Sequence, residues 1–310
     1  MASPKYLLLS GSSGKVGQAL FFDPVHSAAG LSSNLIPILR DRGRFVIPES
    51  YTSLPRMQRE MATLVHMATG LHRWSITKDV ISGELNAFRS LIERLASKGL
   101  RRVVLFSSAK VYGPGVAKSS FGFSEADPVN PTCLYGRGKV ALECEIEDLS
   151  KAYDIDYITL RLPPIYSSHI DNNLSLLIRL VSSGLPLPSS HAKFSLLSAD
   201  NLRLVLCEIA AMQCLSGRVL NVSDDSTLSC LELTDMVDEF YQSRRSRIIP
   251  IHSGSRALLV RIPFIGKKFN CYFTGTVLST SLMKDMLPIT LPSSVRDVVW
   301  KFLEGRHGNA

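Results

Sequence analysis

Leu7-Leu8-Leu9-Ser10-Gly11-Ser12-Ser13-Gly14-Lys15-Val16-Gly17 decides the fold of this chain. The apolar run Tyr6 to Leu9 reads as a short buried strand. Glycines spaced three apart follow at once and lead into Lys15 to Phe22, which has helical apolar spacing. Gly11 suits a tight turn, Gly14 lets backbone approach a pyrophosphate, and Gly17 lets helix pack closely on strand. The helix N-terminus adds unpaired amides and positive potential, so the segment reads as a phosphate-binding turn rather than a structural one. No Gly-Lys-Ser/Thr closes the loop, and the Walker pattern of nucleotide hydrolases is therefore absent.

Working outward, short apolar runs alternate with helical segments. Leu35 to Leu39, Phe45 to Ile47 and Leu64 to Met67 read as strands. From Ser82 to Ser97, Leu85, Phe88, Ile92 and Leu95 share one helical face, with Ser82 as N-cap and Gly99 as the left-handed terminator. Val103 to Phe106 follows as a strand, Lys139 to Leu149 as a helix and Tyr157 to Leu160 as a strand. The alternation predicts an α/β fold with a Rossmann-type doubly wound parallel sheet. Pro37 is in tension with it, because proline lacks an amide donor and this strand belongs inside the sheet. Beyond Pro163 the segments become shorter and more irregular. Residues 1–163 accordingly read as a dinucleotide-binding domain and 164–310 mainly as a smaller C-terminal substrate lobe.

Composition narrows the class. With 310 residues, 45% hydrophobic and 20% charged, and only 20 glycines and 16 prolines, collagen-like, low-complexity and unfolded chains are excluded. The apolar opening is too short for a signal-peptide core, and the later run Ala257 to Ile265 is broken by Arg261 and Pro263, far short of the roughly 20 residues of a membrane span. Six cysteines lie scattered without C-x-x-C or zinc spacing, which predicts reduced thiols, a cytoplasmic setting and no metal site. The net charge of +8 suits phosphate-bearing small molecules or an ordinary basic surface. Its basic groups, such as Arg40/Arg42/Arg44 and Arg244/Arg245/Arg247, are short and poor in aromatics, which argues against nucleic acid.

At the end of the second strand stand Arg40 and Asp41. An acid there holds an adenosine ribose and an arginine accommodates a 2'-phosphate; Arg40 is nearer the strand end and leans the reading towards NADP over NAD. Ser107-Ser108 end the strand Val103 to Phe106, at the edge where such sheets bind ligands. Tyr135 and Lys139, four apart at a helix start, project from one face. A phenol beside an ammonium and a serine hydroxyl is machinery for moving a proton while hydride moves to or from a nicotinamide.

These motifs resemble the extended short-chain dehydrogenase/reductase family, of the NAD-dependent epimerase/dehydratase type, and within it nucleotide-sugar epimerases and reductases. The likeness includes Gly11-x-x-Gly14-x-x-Gly17, Leu64 to Ala68, Phe106-Ser107-Ser108-Ala109-Lys110-Val111-Tyr112-Gly113, Tyr135-x-x-x-Lys139, Leu160-Arg161-Leu162-Pro163 and the strand Val219 to Val222. The resemblance implies catalysis by Ser108, Tyr135 and Lys139, with Asn86 ordering the lysine through water. It implies cofactor contacts from Gly11, Ser13, Gly14, Lys15, Val16, Gly17, Arg40, Asp41, Met67, Ala68, Ser107, Tyr135, Lys139 and Pro163. Asp200-Asn201-Leu202 resembles the start of a helix that returns to the cofactor domain, near 196–222. Phe273-Thr274-Gly275-Thr276 resembles a substrate-lobe segment of bacterial polysaccharide-pathway members, such as those that make O-antigen. The family also implies a homodimer through the helix carrying Tyr135 and Lys139.

Departures are equally informative. Dehydrating members carry Asp-Glu after the catalytic hydroxyl; here Ala109-Lys110 stand there. Pro164 replaces the usual Asn that contacts the nucleotide sugar, and Tyr166-Ser167 replaces Tyr-Gly. The expected function is therefore an NAD(P)-dependent epimerase or 4-keto reductase of a nucleotide-diphosphate sugar, with Arg247 and Arg256 as candidate diphosphate ligands. The alternatives are an NADP-dependent reductase of a non-sugar carbonyl, or a cofactor-binding protein without turnover.

Overall fold

A computed structural model describes residues 6–21, 35–41, 44–60, 62–67, 70–72, 76–113, 122–167, 173–184, 186–188, 192–215, 217–242, 247–249 and 275–307. The first part runs β1 (Leu7–Ser10), α1 (Lys15–Phe21), β2 (Leu35–Asp41), β3 (Arg44–Val46), α2 (Glu49–Thr52), α3 (Arg56–Glu60), β4 (Thr63–His66), α4 (Lys78–Ala96), β5 (Arg102–Phe106), α5 (Leu134–Tyr153) and β6 (Asp156–Arg161). Then come β7 (Ile165–Tyr166), α6 (Asn173–Ser182), β8 (Pro186–Pro188), β9 (Phe194–Ser195), β10 (Leu197–Ser198), α7 (Ala199–Ala211), β11 (Arg218–Asn221), β12 (Thr227–Leu228), α8 (Cys230–Phe240), β13 (Arg247–Ile249), α9 (Ser281–Met286) and α10 (Val295–His307).

Seven strands form one sheet in the order β11-β6-β5-β4-β1-β2-β3. All neighbours are parallel except β2 and β3, so the fold is the Rossmann-type doubly wound α/β sheet. The expectation of a further parallel strand at Phe45 is corrected. Only two residues separate β2 from β3, far too few for a crossover, and the two form an antiparallel hairpin. That hairpin pairs Leu39 to Asp41 alone. Pro37 therefore faces β1 at Leu9 and lies before the β3 ladder begins, which removes the conflict with an interior strand.

Strand alternation distributes the core. Leu7, Leu9, Val104, Phe106, Ile158 and Leu160 face α1 and α7, whereas Leu8, Ile36, Ile38, Leu64, Val103 and Leu105 face α4 and α5. On α4, Phe88, Leu91, Ile92 and Leu95 are fully buried, each contributing about 1.5–3 kcal/mol of transfer free energy. This helix begins at Lys78, not Ser82. Thr77 caps it by accepting from the Val80 amide, and Ser82 turns its hydroxyl back to the Lys78 carbonyl. Gly99 adopts φ 103°, as a helix terminator should. A third core, built from Leu177, Val181, Phe194, Leu233, Val299 and their neighbours, lies among α6, α8 and α10. No described helix is long and apolar enough to cross a membrane.

Candidate active site

The glycine turn leaves β1 at the carboxyl edge of the sheet. Gly11 has φ 91°, and its carbonyl accepts from the Gly14 amide at 3.0 Å. A Cβ at Gly17 would stand 2.5 Å from the Gly11 oxygen and 2.6 Å from Ser12 Cα, so only glycine lets α1 sit this close to the turn. Ser13, Gly14 and Lys15 are exposed, and Val16 packs on the core beneath. His66 ends β4 hydrogen-bonded to Ser10 (Nδ1 to Oγ, 2.7 Å), and the amide of half-buried Met67 donates to the Ser10 carbonyl. Ala68 lies outside the described residues.

Two strands away on the same edge, β5 delivers the hydroxyl. Ser108 caps a 3-10 turn over Ala109–Val111, accepting from the Lys110 amide at 3.3 Å. Tyr135 opens α5, where Cys133 Sγ caps the helix by accepting from the Gly136 amide. The helix starts at Leu134, earlier than the predicted Lys139, which is what brings Tyr135 and Lys139 one turn apart on a regular helix. The Ser108 hydroxyl neighbours the Tyr135 phenol and lowers its pKa. Lys139 is buried, its Nζ 5.9 Å from the Tyr135 ring centroid and donating to the Phe106 carbonyl at 2.6 Å. Ser108, Tyr135 and Lys139 thus come together.

Their environment is dominated by desolvation. Burial pushes the Tyr135 phenol up to about 12, against the opposing pull of the neighbouring Ser108 hydroxyl. Burial draws Lys139 down to about 8, while the negative charges of Glu143 and Glu84 work the other way. Burial therefore favours the protonated phenol, which is a hydrogen-bond donor. A second cation is close by, because the exposed Lys110 lies over the Tyr135 ring, Nζ 5.3 Å from the centroid.

Asn86 stands elsewhere. It is exposed on α4, two residues and so roughly 200° around the helix from the buried Glu84, whose face meets the sheet. The α4 side chain that bears on Lys139 is Glu84. Ser107 commits its hydroxyl to Glu143. Arg40 is ion-paired with Glu84, Asp41 is exposed at the end of β2, and Pro163 is buried just past β6. Arg247 lies in β13, whereas Arg256 and Phe273-Thr274 fall outside the described residues.

Sequence reasoning missed the support behind the triad. Glu143, one turn beyond Lys139, pairs with Arg161 at 2.7 and 3.1 Å. Arg161 also donates to Tyr112 Oη at 3.0 Å, and Tyr112 donates to Asn221 Oδ1 at 2.8 Å. This buried network ties α5 to β6, to the turn after β5 and to β11. The four-residue recurrence Tyr135, Lys139, Glu143 on one helical face was the available signal.

Comparison with known proteins agrees with this geometry. The model of the NAD dependent epimerase/dehydratase family matches residues 51–197. A UDP-glucose 4-epimerase of Vibrio cholerae is 26% identical over 246 residues, which cover 74% of either chain. The UDP-glucuronic acid 4-epimerase of Bacillus cereus, solved in complex with NAD, has the same fold at a TM-score of 0.68 and 15% identity, covering 97% of this chain and 99% of that one. RMD from Pseudomonas aeruginosa, complexed with NADPH, matches at a TM-score of 0.70 and 16% identity over 97% and 98%. With the glycine turn and the converging Ser108, Tyr135 and Lys139, these matches make the chain similar to the NAD dependent epimerase/dehydratase family over residues 51–197, and similar in fold to solved sugar-nucleotide enzymes.

Proposed function

We propose that this protein is an NAD(P)-dependent enzyme that epimerises or reduces a ring carbon of a nucleotide-diphosphate sugar. The observation that carries the reading is Tyr135, set beside Ser108 and backed by Lys139, on the sheet edge where the glycine turn ends β1. The turn fits a dinucleotide: Gly14 is exposed, and a Cβ there would crowd the Gly11 oxygen at 3.2 Å. Gly11, Ser13, Gly14, Lys15, Val16 and Gly17 would hold its pyrophosphate, and Asp41 or Arg40 its adenosine ribose. When bound, the dinucleotide supplies a hydride donor or acceptor.

The chain's own residues move the proton. In reduction, Tyr135 donates its phenolic proton to the substrate carbonyl oxygen, and Ser108 orients that oxygen. In oxidation, Tyr135 takes the proton of a hydroxyl at the same place, a role that requires positive charge beside the phenol, to which Lys139 contributes. Epimerisation uses both directions at one carbon. Ala109 and Lys110 offer no carboxylate beside the phenol, so the elimination of water that an acid pair would catalyse is disfavoured. The UDP-glucose 4-epimerase relative supports a nucleotide sugar as substrate. A homodimer, and surface polysaccharide synthesis in the cytoplasm, complete the reading on family resemblance alone.

The test is a panel of UDP- and dTDP-hexoses and 4-keto sugars incubated with protein and NAD+ or NADPH, with products followed by proton NMR. Inversion at a ring carbon, or consumption of NADPH by a keto sugar, is expected. Dinucleotide binding without binding or turnover of any nucleotide sugar would overturn the sugar assignment.

A further inference from the structure

The arginine at the end of β2 is already held by another element. Glu84 on α4 grips Arg40 with both oxygens, 3.0 Å from Nη1 and 2.7 Å from Nη2. The guanidinium also stacks on Phe45, 5.2 Å from the ring centroid. Glu84 is 8% exposed and Arg40's side chain 29%, so the carboxylate is the buried partner. Gly70, just after β4, makes room for it: a Cβ there would stand 2.4 Å from Glu84 Oε1 and 3.6 Å from Arg40 Nη1. Asp41, the next residue on β2, is exposed and has no ion-pair partner among the described residues.

We infer that Glu84 is a cofactor-selecting residue: by holding Arg40 it turns the end of β2 into a site for a ribose 2'-hydroxyl rather than a 2'-phosphate, so that the chain prefers NAD to NADP. The inference rests on the dinucleotide reading proposed above. A 2'-phosphate would have to draw Arg40 away, which strands a buried carboxylate without its cation, or else bring its own negative charge against Glu84. A 2'-hydroxyl meets neither obstacle and can donate to Asp41. Arg40 leans towards NADP in the sequence only because its partner, 44 residues further along, is invisible there.

The experiment measures dissociation constants for NAD+ and NADP+ by calorimetry on wild type, Glu84→Gln and Gly70→Ala. Gly70→Ala displaces the carboxylate without removing it and serves if Glu84→Gln fails to fold. Wild type is expected to bind NAD+ at least tenfold more tightly. Either variant should shift the ratio towards NADP+ tenfold or more, and adding Arg40→Met to Glu84→Gln should cancel the gain. Tighter NADP+ binding by wild type, or a ratio within threefold of wild type in both variants, overturns the inference while leaving the dinucleotide reading intact. Binding of neither dinucleotide overturns that reading itself.

Discussion

Removing the Glu143 carboxylate should destabilise the whole sheet edge. Glu143 is bidentate to Arg161, and the two side chains are 10% and 7% exposed. Glu143→Ala leaves the guanidinium with the neutral Tyr112 hydroxyl as its remaining side-chain acceptor and deprives Ser107 of the carboxylate it donates to. Breaking a buried pair from one side costs about 3–5 kcal/mol, a large share of the roughly 5–15 kcal/mol that holds a native protein folded. At roughly 2–3 °C per kcal/mol for a chain of this size, Tm should fall by about 6–15 °C. The assay is thermal unfolding by circular dichroism of wild type, Glu143→Ala, Arg161→Met and the Glu143→Met/Arg161→Met pair. The double variant should recover much of the loss, because it strands no charge. A fall below about 2 °C for Glu143→Ala, or a double variant no better than the singles, would refute the reasoning.

Lys139 should titrate near pH 8 in the ligand-free protein, well below exposed lysines, as followed by NMR of its labelled ε-carbon; a midpoint above 10 would contradict its burial. Glu143→Gln should lower that midpoint further, because the carboxylate's charge favours the ammonium. Between pH 8 and 10.5 the unfolded chain holds this proton and the folded one does not, so Lys139's contribution to stability rises with pH across that window, measurable by urea unfolding at each pH. Gly17→Ala should cost about 1–3 kcal/mol in the same unfolding assay and weaken dinucleotide binding, because its methyl meets the Gly11 oxygen at 2.5 Å; full binding with unchanged stability would show that α1 can shift freely.

The parts legible in the sequence were those written in local pattern. The strand-turn-helix at Leu7 to Gly17, the alternation that makes the sheet, and the spacing of Tyr135 and Lys139 each depend on neighbours a few residues apart. What stayed hidden depends on pairs far apart in the chain. Arg161 meets Glu143 across 18 residues and Arg40 meets Glu84 across 44, and no local periodicity announces either. Asn86 shows the opposite failure. A residue type assigned by resemblance fell on the exposed face of α4, whose register is set by Phe88, Ile92 and Leu95 packing on the sheet. The β2–β3 hairpin escaped notice because Leu35 to Leu39 and Phe45 to Ile47 carry the same apolar signature whether paired parallel or antiparallel.

Turnover of the responsive nucleotide sugar by wild type and Tyr135→Phe, with the dinucleotide dissociation constant measured on both, tests the account at its centre. Loss of the phenolic hydroxyl should lower kcat by about 10²- to 10⁴-fold, roughly 3–5 kcal/mol of barrier, and leave the dissociation constant within about threefold. Undiminished turnover would contradict it, because the proton would then reach the substrate oxygen from some other group.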